Sequence, residues 1–242
     1  MSDRRRTQIT SRKKPKQARA NELVAAILQA AVQVLAAEGA QRFTTTRVAE
    51  RAGVSVGSIY QYFPNKASIL FRLQCDEWRQ TTEMLRRTLE DMRRPPLERL
   101  RRLVHAFVKS ECDEADVRVA LNDAAPLYRD APEAHAARAS GAATIAAFMR
   151  EVLPDASDAT RAAAGDLIKA TLSAVGQEFS ESPRTKAQIV RWSDAMADMF
   201  CAYLGSLQQT VRGSAMVDLG GTTAKECTGS QAARLDGSPR RR

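Results

Sequence analysis

The side chains able to do recognition chemistry crowd into one stretch, Phe43 to Leu70, reading FTTTRVAERAGVSVGSIYQYFPNKASIL. It holds hydroxyls at Thr44, Thr45, Ser55, Ser58, Tyr60 and Tyr62, an amide at Gln61 and cations at Arg47 and Lys66. The chain has no phosphate-binding GxxxxGK loop and no HExxH pair, so neither phosphate-loop nor zinc-hydrolase chemistry is indicated and an enzyme is not expected. Hydroxyls, an amide and two cations suit a different task, hydrogen bonding to phosphates and to base edges.

Two short helices must position these groups. Thr44 can cap the first, in which Val48, Ala49 and Ala52 fall at helical spacing while Arg47, Glu50 and Arg51 stay wet. Gly53 offers the left-handed backbone of a sharp helix exit, and Ser55 can cap the next helix. That second helix is expected from about Val56 to Phe63, burying Val56, Ile59 and Phe63 and leaving Ser58, Gln61 and Tyr62 outside; Pro64 stops it. A small, hydroxyl-rich outer face suits a helix lying in the major groove. Gln61 matches an adenine edge, Val56 a thymine methyl, and Gly57 lets the backbone come close. An ordinary helical hairpin would share the local signals.

The arrangement resembles the TetR family of bacterial transcriptional regulators. Thr44, Val48-Ala49, Ala52-Gly53-Val54-Ser55, Gly57, Tyr60, Tyr62-Phe63 and Lys66 stand where the family pattern has them, and the likeness runs from about Ala20 to Leu70. It implies an all-α fold, with a helix-turn-helix DNA-binding domain over residues 20–66 and a helical ligand-binding and dimerisation domain over residues 67–208. It also implies that Thr45, Tyr60, Tyr62 and Lys66 touch phosphates. Many relatives carry Lys or Arg where Val56 stands, a contact that Arg47 is placed to replace. A twofold dimer reads an inverted repeat, so the implied partner is double-stranded DNA of that symmetry.

Composition sets the remaining bounds. The chain has 242 residues, 44% of them hydrophobic, enough for a substantial core. No run of about 18 apolar residues predicts a membrane span, and the basic N-terminus lacks the apolar stretch of a signal peptide, so a cytoplasmic protein is expected. Cys75, Cys112, Cys201 and Cys227 are scattered without a CxxC pair, which argues against a zinc site or a disulfide framework; Cys75 and Cys201 read as core residues. No metal or cofactor is expected. The formal charge of +9 sits in the tails: residues 1–20 carry +7, residues 21–208 carry −1 and residues 209–242 carry +3. The basic arm, residues 1–19, abuts the reading unit and is placed to meet phosphates or a minor groove, the alternative being a solvated extension. Residues 209–242 read as a disordered tail.

Nothing in the chain alternates as a strand does, so between the disordered basic arm and the disordered tail the fold is expected to be all helical. Expected helices cover about Ala20–Glu38, Asn65–Met92, Leu97–Ser110, Ala115–Ala125, Glu133–Val152, Ser157–Phe179 and Thr185–Leu207. The helix from Asn65 leaves the reading head and enters the rest of the chain. The last two, about 157–179 and 185–207, carry apolar stripes and small residues such as Ala162, Ala163, Ala170 and Ala174; the resemblance implies that they pair with a second copy in a four-helix bundle. It further implies a cavity for a small effector. The lining candidates are Trp78, Phe107, Leu121, Tyr128, Ile145, Phe148 and Met149, which point to an apolar or aromatic ligand and equally fit a solid core. His105 and His135 read as surface residues. A ligand-independent architectural DNA-binding protein and a transcriptional activator are the competing functions.

Overall fold

The structure is a computed structural model that describes residues 18–124 and 131–222. The arm up to residue 17, Tyr128, Cys227 and the tail beyond Thr222 lie outside the described residues. Nine helices and no strand occur among them: α1 (Ala18–Arg42), α2 (Thr45–Ala52), α3 (Val56–Tyr60), α4 (Lys66–Leu89), α5 (Pro96–Asp113), α6 (Ala115–Ala124), α7 (Pro132–Val152), α8 (Asp158–Ser180) and α9 (Lys186–Thr222). The all-α expectation holds, and most boundaries fall within three residues of those read from the sequence.

Two hydrophobic clusters organise the chain. In the first, Ile27, Ala31 and Leu35 of α1 pack with Phe43, Val48, Ile59, Phe63 and the start of α4, all nearly inaccessible to water. Here α1 bends at Gly39, whose φ of 71° and ψ of 173° break the helical run, so glycine is required at that point. An 18-residue window of α1 has a mean hydropathy of 1.7, long and apolar enough to cross a bilayer by composition alone; the stripe through Ile27 and Ala31 packs inside this cluster.

The second cluster is built on α5. Leu100, Leu103, Val104, Phe107 and Val108 meet Phe148 and Met149 of α7, Ile168 and Leu172 of α8, and Met196, Phe200 and Leu204 of α9. Arg99 is buried within it at 1% exposure. Its guanidinium donates to the Leu89 carbonyl at the end of α4 and to Glu151 of α7, and it lies 5.7 Å from the Phe148 ring centroid. A buried cation so paired ties the junction of three helices.

α4 joins the two clusters. Asn65 caps it, accepting from the Ser68 amide at 3.0 Å, and Ser68 completes a reciprocal capping box. Ile69, Leu70, Phe71 and Leu73 belong to the first cluster; Leu89, with Met84 and Leu85 beside it, belongs to the second. Helix α9 continues to Thr222 instead of ending near Leu207, so part of the expected disordered tail is helical; no proline interrupts residues 208–222.

Candidate nucleic-acid interface and cavity

The reading unit is held by caps that its sequence spells. Thr44 Oγ1 accepts from the Arg47 amide at 3.2 Å at the start of α2. Gly53 closes that helix with φ 67°, ψ 31°, its amide directed at the Ala49 and Glu50 carbonyls, while the Val54 amide reaches Ala49 at 3.0 Å. Ser55 Oγ accepts from the Ser58 amide at 3.0 Å and lies 2.8 Å from the Ser58 hydroxyl. Residues 53–57 read GVSVG, the spelling of a hydrolase nucleophile elbow, which the sequence reading passed over. Here a helix precedes the serine where an elbow needs a strand, and its hydroxyl serves as a helix cap.

Two expectations for α3 need correction. The helix ends at Tyr60 instead of Phe63, because Pro64 biases the residue before it away from helix and the Ile59 carbonyl takes the amides of both Tyr62 and Phe63. Gln61 is thus an exposed residue just past the helix end. Tyr62, expected outside, is half-buried and packs on the first cluster, as does Val56. Gly57 is exposed, and a Cβ there would meet only Ser55 Oγ at 3.7 Å. Nothing inside the protein demands glycine at this position.

On the outer surface, Thr45 of α2 and Tyr60 of α3 share a hydrogen bond of 3.3 Å, with Tyr60 42% exposed. Lys66 is exposed at the start of α4. Arg47 pairs with Glu38 of α1, and Arg51 donates to Gln33 of α1 at 2.6 Å. The sequence reading missed both links, since neither partner lies in the recognised motif.

Some distance along α4 lies a cavity of about 480 Å³ walled by α4, α5, α6, α7 and α8. Trp78, Phe107, Leu121, Ile145, Phe148 and Met149 all line it, as the sequence suggested; Tyr128 lies outside the described residues. Leu85, Leu89, Leu100, Leu103, Ile168 and Leu172 extend the apolar wall and were not anticipated. Also missed was a polar group at one end: Arg118 of α6 bridges Glu77 of α4 at 2.7 Å and Glu111 of α5 at 2.8 Å. Its only visible signal was Glu114 at i,i−4 from Arg118, which is indeed an ion pair of 3.2 Å.

Neither histidine lines the cavity: His105 is a surface residue bonded to Asp194 at 2.9 Å, and His135 is exposed. Cys75 is half-buried, and its burial pushes the thiol up to about 11, with Glu133 and Asp76 adding to the effect. Among the described residues no group of three His, Cys, Asp or Glu side chains could hold a metal.

Comparison with known proteins agrees with this architecture. Residues 27–73 match the model of bacterial regulatory proteins of the tetR family, and residues 95–207 match that of the tetracyclin repressor-like C-terminal domain. The nucleoid occlusion factor SlmA of Vibrio campbellii is 40% identical over 85 residues, which cover 34% of this chain and 42% of that protein. A fatty acid metabolism regulator of Bacillus subtilis is 35% identical over 65 residues, 27% of this chain and 34% of the relative, so the chain matches less than half the length of either. The crystal structure of the Bacillus subtilis regulator FadR with stearoyl-CoA shares the fold, with a TM-score of 0.57 at 17% identity over 73% of this chain and 96% of that one. With its head and its helical body each matching a domain of that family, the chain belongs to the TetR family of bacterial transcriptional regulators.

Proposed function

We propose that the protein is a cytoplasmic, homodimeric repressor that sits on an inverted-repeat operator and leaves it when a small, largely apolar molecule fills the cavity. The observation that carries this reading is α4: one uninterrupted helix contributes Ile69 and Leu70 to the core of the reading head and Trp78, Leu85 and Leu89 to the cavity wall. A ligand that favours one setting of that wall therefore biases the position of the head. A fold relative crystallised with stearoyl-CoA supports a ligand-bearing body of this kind.

In this reading Thr45, Tyr60, Tyr62 and Lys66 meet phosphates, and Val56, Gly57, Ser58 and Gln61 face base edges. Thr44 and Ser55 act as caps that aim helix N-termini at the backbone. Arg47 reaches DNA only by leaving Glu38. The basic arm adds phosphate contacts. Dimerisation uses the outer face of α8 and α9, where Leu167, Val190 and Met199 are each half exposed and Ala162, Ala163, Ala170 and Ala174 are open to close helix approach.

A thermal-shift screen of small molecules against the purified protein, followed by a DNA-release assay, tests the proposal. A compound that raises the melting temperature and also releases bound DNA is expected. Compounds that stabilise the protein while leaving DNA binding unchanged would sever the cavity from the head.

A further inference from the structure

The polar end of the cavity specifies the charge of what fills it; this inference rests on the effector-site reading above. Glu111 lines the cavity at 6% exposure. Its Oε1 accepts from the Arg118 guanidinium at 2.8 Å, and no hydrogen bond among the described residues reaches its Oε2. Glu77 is fully engaged: Oε1 takes Arg118 and the Thr81 hydroxyl at 3.0 Å, and Oε2 takes the Gln74 amide at 3.1 Å. Arg118 spends its other terminal nitrogen on Ser110 and Glu114. Buried Glu111 and partly buried Glu77 thus share one guanidinium, while Glu114 pairs with it outside the cavity lining.

Burial is the largest cause holding the Glu111 carboxyl above its usual range; Arg118 opposes it, and Glu77 and Glu114 reinforce it. Of this cluster Glu77, Glu111 and Arg118 line the cavity, two carboxylates against one guanidinium, in a largely apolar wall where charge discriminates strongly. Cations also occur at the cavity rim, at Arg138 and Lys169, but both are exposed and Lys169 already pairs with Asp166 at 2.9 Å, so water and salt screen them.

We propose that the cavity takes a lipophilic organic cation, whose N–H group donates to Oε2 of Glu111 while its apolar body lies against Trp78, Phe107 and Phe148. The aromatic walls suit such a ligand, since ring faces attract cations.

Three probes of one shape test this: 2-naphthylmethylammonium, 2-naphthylmethanol and 2-naphthylacetate, titrated calorimetrically into the full chain. The ammonium is expected to bind about tenfold tighter than the alcohol, the effect of one charge-assisted hydrogen bond. In Glu111→Gln that preference should vanish while the alcohol binds as before. Equal or tighter binding of the alcohol or the acetate to the unmodified protein overturns the cation assignment and leaves the effector site standing. Failure of all three to bind, together with an empty thermal-shift screen, overturns both. The comparison within the unmodified protein decides the matter even if the variant folds poorly.

Discussion

The hydroxyl of Thr45 on α2 lies 3.3 Å from the phenol oxygen of Tyr60 on α3, a cross-link on the outer surface of the reading head. It joins two residues from different helices into one polar edge, with Tyr60 exposed enough to reach beyond the protein. Gln61 follows at once but sits past the helix end, facing solvent. The two neighbours should therefore behave differently.

Tyr60→Ala is expected to weaken binding to an operator and to random DNA alike, by about tenfold, the scale of one hydrogen bond to a charged group. Gln61→Ala should instead alter sequence preference, relaxing it at one position by about 1–3 kcal/mol. Binding isotherms on matched and randomised duplexes separate the two. Identical preference profiles for Gln61→Ala and the parent would remove Gln61 from base reading.

Gly57 gives a sharper contrast between fold and function. Because a Cβ there meets only Ser55 Oγ at 3.7 Å, Gly57→Ala should fold at least as well as the parent and gain about 0.5 kcal/mol from reduced backbone entropy. If the α3 backbone approaches DNA closely, the same methyl group should lower operator affinity. Melting curves and DNA titrations of the one variant check both halves, and unchanged affinity would show that the groove contact lies elsewhere.

Leu167 on α8 and Met199 on α9, on the face proposed for dimerisation, are each 51% exposed. If the proposed dimer forms through α8 and α9, replacing both with aspartate should leave only monomer in sedimentation experiments without melting the fold, since neither fills the internal core. Trp192 is a poorer target because its ring stacks on Phe179 at 4.3 Å and supports the monomer.

The raised Glu111 carboxyl sets a pH dependence with a definite sign. A folded-state value above the unfolded one means that the native protein holds the proton more tightly, so the contribution is fully present below the ordinary carboxylate range, near 4.5, and is lost as pH rises through the folded value. Glu111→Gln keeps the neutral form at every pH. Its melting temperature relative to the parent should therefore climb between acidic and neutral buffer, and a constant difference would contradict the burial of that charge.

Local signals carried much of this molecule. Caps at Thr44, Ser55 and Asn65, the left-handed Gly53 and the apolar spacing of Val48 and Ile59 are written in neighbouring residues, and the structure places them as their chemistry requires. The early end of α3 was less legible, because apolar spacing continues to Phe63 while Pro64 turns the backbone before it and the Ile59 carbonyl takes the amides of both Tyr62 and Phe63. The aromatic cavity lining followed from residue size and helical spacing, whereas Arg118 with Glu77 and Glu111 did not, since those residues come from three helices and meet only through tertiary packing. Arg99 shows the same limit: nothing in the sequence sets it apart from the other arginines, yet among the described residues it is a fully buried cation.

In the proposed function this head reads a specific sequence as half of a symmetric pair. The direct measurement is selection of bound duplexes from a random DNA pool with the purified protein, followed by sequencing. One motif made of two inverted half-sites is the predicted result. Recovery of no motif, or of a single unpaired half-site, would contradict it.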